Sequence, residues 1–198
     1  LTDCTIADNK AWYDLSTGVY IYRGNSIITG CTITGNGQAI EIHKYEFDDE
    51  LYTAEITNCT IADNKGGKGG IISSVNLTKL TDCEITGNDT GIVINYGGEA
   101  VITHCTINSN DKGLEAHADK ITITDCMITS NDNGIDFTSD ENTVITNCVI
   151  AGNNVALGGN GNVTLTNCQI TGNKSGMSFG GDNSSAAVAD CTITDNAF

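Results

Sequence analysis

The chain has 198 residues, a formal charge of −16 and a pI near 4.2, with nine Lys and Arg against 25 Asp and Glu. Nucleic-acid binding draws on clustered cations that replace counterions at phosphates, so this balance excludes nucleic acid as a partner. No apolar run approaches the roughly 20 residues that cross a bilayer, and no basic segment precedes an apolar stretch at Leu1, which excludes membrane insertion by a helix.

The chain begins in a repeat. CTIADNK at 4–10 recurs letter for letter at 59–65, and CTITGN, CEITGN, CTINSN and CQITGN are looser copies. The nine cysteines, Cys4, Cys31, Cys59, Cys83, Cys105, Cys126, Cys148, Cys168 and Cys191, stand 27, 28, 24, 22, 21, 22, 20 and 23 residues apart. A period of roughly 20 to 50 residues marks a solenoid, a propeller or an array. An aliphatic residue lies three positions before every cysteine, Ile lies two after it, and Asn lies five after it, from Asn9 to Asn196. Cys and that Ile share a face only in an extended segment, because a strand alternates sides with period two.

A second strand follows in each repeat, usually after a glycine: GVYIY at 18–22, AIEIH at 39–43, GIVIN at 91–95, GLEAH at 113–117, GIDFT at 134–138 and GMSFG at 176–180. These alternate as well, with pairs such as Ile40/Ile42 and Ile135/Phe137 inward. Two or three short strands per repeat, separated by Asn, Asp and Gly corners, describe one coil of a parallel β-solenoid. Stacking at about 4.8 Å places each residue over its equivalent and gives a rod on the order of 40 Å long. The expected interior is a set of Cys, Ile and Asn ladders. The asparagine is expected in a corner, where its amide bonds the backbone of the coil above or below and where it tolerates left-handed geometry. The absence of Pro agrees, since each interior strand donates to a ladder.

The pattern hydrophobic-Thr-[Asp/Asn/Gly/His]-Cys-x-Ile-x-x-Asn resembles the right-handed parallel β-helix repeat family, the pectate-lyase-like superfamily that includes many bacterial and archaeal surface and secreted proteins. The resemblance covers essentially all of 1–198 and implies an all-β fold, a single right-handed parallel β-helix of about nine coils, with loop insertions at 10–17 and 44–54. The same coils carry lyases, hydrolases, adhesins and spacers, so activity must come from a site. The chain begins in mid-coil and stops after a corner Asn, which is expected of a segment of a longer protein or filament.

No CxxC pair occurs, and stacked β-carbons about 4.8 Å apart are too distant for disulfides, so the cysteines are expected as buried, inert thiols. The Thr-x-Thr of CTIT at 31–34 and 191–194 would suit an ice-binding face, but intervening coils break it with Glu, Met and Gln. No cofactor is implied; Asp48, Asp49 and Glu50 are the one acidic run that would take a calcium ion.

Seven of eleven aromatics fall in the first 55 residues. Tyr20 and Tyr22 are expected outward, Glu41 and His43 one coil on at the same sites, with Trp12, Tyr13 and Tyr45 in the flanking loops. Aromatics beside carboxylates suit sugar stacking or a protein contact, and a loop cap over the first coil explains them equally. A catalytic alternative takes Glu115 and Asp136 as a stacked acid/base pair assisted by His117. The outward column is expected to run Tyr20, Glu41, Ile72, Val93, Glu115, Asp136, Ala156, Ser178, on a face nearly devoid of cations. The leading expectation is an extracellular or cell-surface structural or adhesive solenoid that self-associates end to end or contacts a surface polysaccharide. The alternative is a carbohydrate-binding or polysaccharide-degrading module.

Overall fold

Three strands make each turn in the computed structural model, which describes residues 1–9, 16–44, 49–66, 69–95, 98–181 and 184–197. A leading strand ends just before the cysteine, as in Thr53–Thr57 and Glu99–Thr103; a three-residue cysteine strand follows it, as in Thr60–Ala62 and Thr106–Asn108. A trailing strand completes the turn, as in Thr17–Tyr22, Gln38–His43, Gly69–Ser74 and Lys112–Ala118. Twice a trailing strand runs on into the next leading strand, giving Asn133–Thr146 with 14 residues and Val155–Thr166 with 12.

The nine cysteine strands form one parallel sheet, and leading and trailing strands form a second sheet of 14 strands. The expected nine coils therefore correspond to eight full turns between the first cysteine strand and the last. No helix occurs among the described residues. Register holds from coil to coil: Ile33 pairs with Ile61, Ile61 with Ile85, and Ile85 with Ile107. Those isoleucines are fully buried and form a single apolar column with the cysteines and leading-strand aliphatics. Fully burying one such side chain contributes about 1.5–3 kcal/mol.

The corners bear out the asparagine amide ladder and move the left-handed backbone off the asparagine itself. Left-handed backbone falls on the residue before each cysteine, Asp3, Gly30, Asn58, Asp82, His104, Asp125, Asn147, Asn167 and Asp190, and on the residue four after it, from Asp8 and Gly35 to Gly172 and Asp195. The recurrent Asn is the next residue and is not left-handed. Its side chain turns inward instead. Asn88 Nδ2 donates to Ile61 O of the preceding coil at 3.0 Å and to Asn110 Oδ1 of the next at 3.2 Å, and Asn110 Oδ1 also accepts from Asn88 N at 2.9 Å. The same bonds recur at Asn64, Asn110, Asn131, Asn153 and Asn173, all buried. A Gly column packs on this ladder: a β-carbon at Gly113 would stand 2.6 Å from Gly134 O and 3.1 Å from Asn131 Nδ2.

That column corrects the outward series. Gly158, and not Ala156, pairs with both Asp136 and Ser178. Ala156 is buried, taking the place that Gly113 and Gly134 hold in neighbouring coils, because NVALGG lacks the usual glycine landmark. Val93 pairs with Ile72 and Glu115 as expected yet is fully buried, so the face is not continuously exposed. The expected insertions overlap strands at their ends, since Thr17 opens Thr17–Tyr22 and Thr53 opens Thr53–Thr57.

Candidate functional site

The trailing strand Thr17–Tyr22 alternates as TGVYIY, which sends Val19 and Ile21 toward the core and Tyr20 and Tyr22 to the outside. The tyrosines are 59% and 50% exposed, so neither ring serves the interior. Register sets Tyr20 beside Glu41 and Tyr22 beside His43 on the next coil. The Tyr20 and His43 rings lie 6.1 Å apart at 47°, and Arg23 places its guanidinium carbon 5.6 Å from the Tyr22 ring centroid, a cation–π contact. Glu41 holds the group in place: its Oε1 lies 2.7 Å from His43 Nε2, and its Oε2 accepts from Thr17 Oγ1 at 3.3 Å. The surface thus joins two aromatic faces, a guanidinium, an imidazole and a carboxylate within two coils. Stacking on pyranose faces and hydrogen bonding to hydroxyls both fall within its chemistry.

Tyr20, Tyr22, Glu41 and His43 are therefore brought together as the sequence led one to expect. Trp12, Tyr13 and Tyr45 lie outside the described residues. Arg23 joins the patch through its left-handed backbone (φ 61°), which turns the chain at the end of the strand. Tyr52, another aromatic of this region, packs against the core.

Glu115 and Asp136 are register partners on adjacent trailing strands, and His117 pairs with Thr138 in the next outward column. The expectation of a nearly cation-free face needs correction here, since Lys112 Nζ lies 2.7 Å from Glu115 Oε2. His117 Nε2 stands 3.6 Å from Glu115 Oε1. Strand alternation concealed Lys112, because a four-carbon stem reaches across one position of the pleat.

Asp49 and Glu50 are exposed, while Asp48 lies outside the described residues. Among the described residues no group of three or more His, Cys, Asp or Glu is arranged to hold a metal ion. All nine cysteines are free. Each thiol donates to the carbonyl oxygen two residues before it at 3.1–3.4 Å. Hydrogen bonding with a neighbouring thiol, and then burial, push up Cys59, Cys105 and Cys168, and push Cys148 up to about 12. At Cys83 and Cys126 bonds from thiols on both sides pull down while burial pulls up. For the run from Cys59 to Cys168 the direction is upward, because burial penalises a thiolate at each of these levels. These thiols are packing groups and not nucleophiles.

No curated protein matches the chain, and no solved structure does. A family model described as a right handed beta helix region matches residues 1–131 and 116–198. Together with the parallel three-strand coils, that match makes the chain a member of the right-handed β-helix family.

Proposed function

We propose that the chain is an extracellular structural or adhesive β-solenoid, a stiff rod whose first coils contact a surface polysaccharide. The observation that carries this reading is the pair of half-exposed tyrosines, Tyr20 and Tyr22, tied to Arg23, Glu41 and His43 and without any role in the core. The continuous Asn and Cys ladders supply stiffness, since each coil is bonded to both neighbours through its interior. An acidic surface is soluble and accords with an exterior location.

A glycan array probed with the wild type and with Tyr20→Ala/Tyr22→Ala tests it. Binding to a polysaccharide that the double variant loses, at unchanged melting temperature, is the expected result. A blank array, or binding indifferent to the double variant, overturns it. End-to-end self-association is the competing partner, and light scattering over a dilution series of the same samples detects it.

A second reading, polysaccharide degradation, is favoured by one observation: Glu115 and Asp136 are in register with Lys112 and His117 close by. Release of reducing ends from a polysaccharide, lost in both Glu115→Gln and Asp136→Asn, would establish that reading in place of the first.

A further inference from the structure

The outward column of the trailing strands has one rung without a side chain. It runs Glu115, Asp136, Gly158, Ser178. At that rung the surface sinks into a groove of about 470 Å³, lined among others by Asn133, Asp136, Gly158, Asn160, Ser175 and Ser178. The volume lies in the range of small-ligand sites, about 300–1,000 Å³.

Gly158 and Gly159 are adjacent, and only one of them is required by the fold. A β-carbon at Gly159 would collide with the carbonyl oxygen and ring of Phe137. Its absence lets the Phe137 ring of one coil and the Phe179 ring two coils on meet at 6.2 Å. Gly158 has no such reason. Its backbone is not left-handed, and the nearest atom to a β-carbon there would be Ser178 O at 3.6 Å, an ordinary contact. Glycine inside a strand weakens it relative to alanine, and glycine in a strand often marks close approach by a ligand. What Gly158 contributes is the open floor of the groove.

The walls state the chemistry. Asp136 offers a carboxylate with no ion-pair partner among the described residues, Asn133 and Asn160 offer amides, and Ser175 and Ser178 offer hydroxyls. Among the described residues no Lys, Arg or His lines the groove, and Lys112 is already engaged by Glu115 one coil away. In a chain of charge −16 such a site repels uronates and other anionic sugars. We propose that the groove binds one unit of an amine-bearing sugar, its ammonium on Asp136 and its hydroxyls on the amides and serines of the walls. Being several coils from the tyrosines, the site does not rest on the aromatic patch.

Titration calorimetry and amide chemical shifts with a glucosamine tetramer carrying free amines test this. Saturable binding with shifts at Gly158 and Gly159 is expected. Asp136→Asn removes one charge-assisted contact and Gly158→Val fills the floor, so each weakens binding about tenfold or more. Gly158→Val melts no lower than the wild type, which separates lost binding from lost fold. Glu84→Gln, an acid removed from the other sheet, keeps full affinity, and a neutral glucose tetramer binds about tenfold more weakly than the amine. Absence of binding overturns the proposal. So does equal weakening by Glu84→Gln and Asp136→Asn, which would mark general attraction to an acidic rod. Spermidine binding as tightly as the tetramer would overturn the sugar assignment.

Discussion

The two corners that flank each cysteine strand make opposite demands on sequence. At the first, before the cysteine, the chain needs left-handed backbone and little else: Asp, Gly, Asn and His all occupy it, and at Asn147 the side chain is exposed. At the second, the left-handed residue is Asp, Gly or Ser, and the residue after it is Asn in every coil. Asn147 and Asn153 stand six positions apart in one turn and are there for different reasons. One is an L-residue tolerant of a strained φ, and the other is a buried amide that bonds to the coils on either side. A conformational requirement admits substitutes, whereas a requirement for two donors and two acceptors in fixed directions does not.

The largest effect belongs to the second corner. Asn153 Oδ1 accepts from Asn131 N at 2.9 Å and from Asn131 Nδ2 at 3.1 Å, while its Nδ2 donates to Ile128 O at 3.0 Å and to Asn173 Oδ1 at 3.1 Å. Asn153→Ala leaves these partners buried and unsatisfied, at about 1–3 kcal/mol each before relaxation. The expected loss in urea or thermal unfolding is therefore at least ~3 kcal/mol. A loss below ~1 kcal/mol would show that water replaces the amide and that the ladder does not hold the coils.

Next in size is the alkaline limit of stability. Cys148 has its pKa raised from 9.0 to about 12 by the Cys126 thiol and by burial. In the unfolded chain the thiol ionises near 9.0, while in the folded one it stays protonated. Its contribution is therefore complete below pH 9 and is lost as pH rises from 9 toward 12, at up to ~1.4 kcal/mol per pH unit. Unfolding midpoints should fall over that window in the wild type and fall less in Cys148→Ala. The thiols should also stay unreactive to a disulfide exchange reagent until the fold opens.

An interior position that departs from the ladder rule should gain from repair. Thr143 is buried between Ile121 and Val163 in register, and its hydroxyl has no hydrogen-bond partner among the described residues. Thr143→Val keeps the shape and removes the orphaned hydroxyl, so the melting temperature should rise, by roughly 1 kcal/mol of stability. A destabilised Thr143→Val would indicate a bound water in that place.

The same division explains what was legible in the sequence. Cys, Ile and Asn recur because each coil stacks on a copy of itself, so alternation and period alone give the strands, the solenoid and the inward faces. Outward faces follow by default, which places Tyr20, Tyr22, Glu41 and His43 together. Invariance points to the Asn as the corner residue, whereas the strained φ belongs to its variable neighbour. The position of Ala156 and the Gly158 groove are not legible in the sequence, because register follows from a glycine that this coil lacks. The Lys112–Glu115 pair is not legible either, because a long side chain reaches a partner that strand alternation does not pair with it.

The smallest expected effect is the sharpest test of the contrast between corners. Asn147 has φ 56°, donates through Nδ2 to Asp125 Oδ1 at 3.0 Å and accepts from Asn167 Nδ2 at 2.8 Å, all at the exposed edge of the rod. Water replaces those side-chain bonds at little cost, and its backbone N–H still donates to Thr166 O at 3.0 Å whatever the side chain. Asn147→Gly removes the left-handed strain while adding flexibility to the unfolded chain, two terms of opposite sign and similar size. The net change should lie within about 0.5 kcal/mol, against at least ~3 kcal/mol for the asparagine six residues on. Asn147→Val, β-branched and forced to the same φ, should instead cost on the order of 1–2 kcal/mol or more. If Gly and Val behave alike at 147, the first corner is held by its side-chain bonds and not by its backbone, and the distinction between the two corners fails.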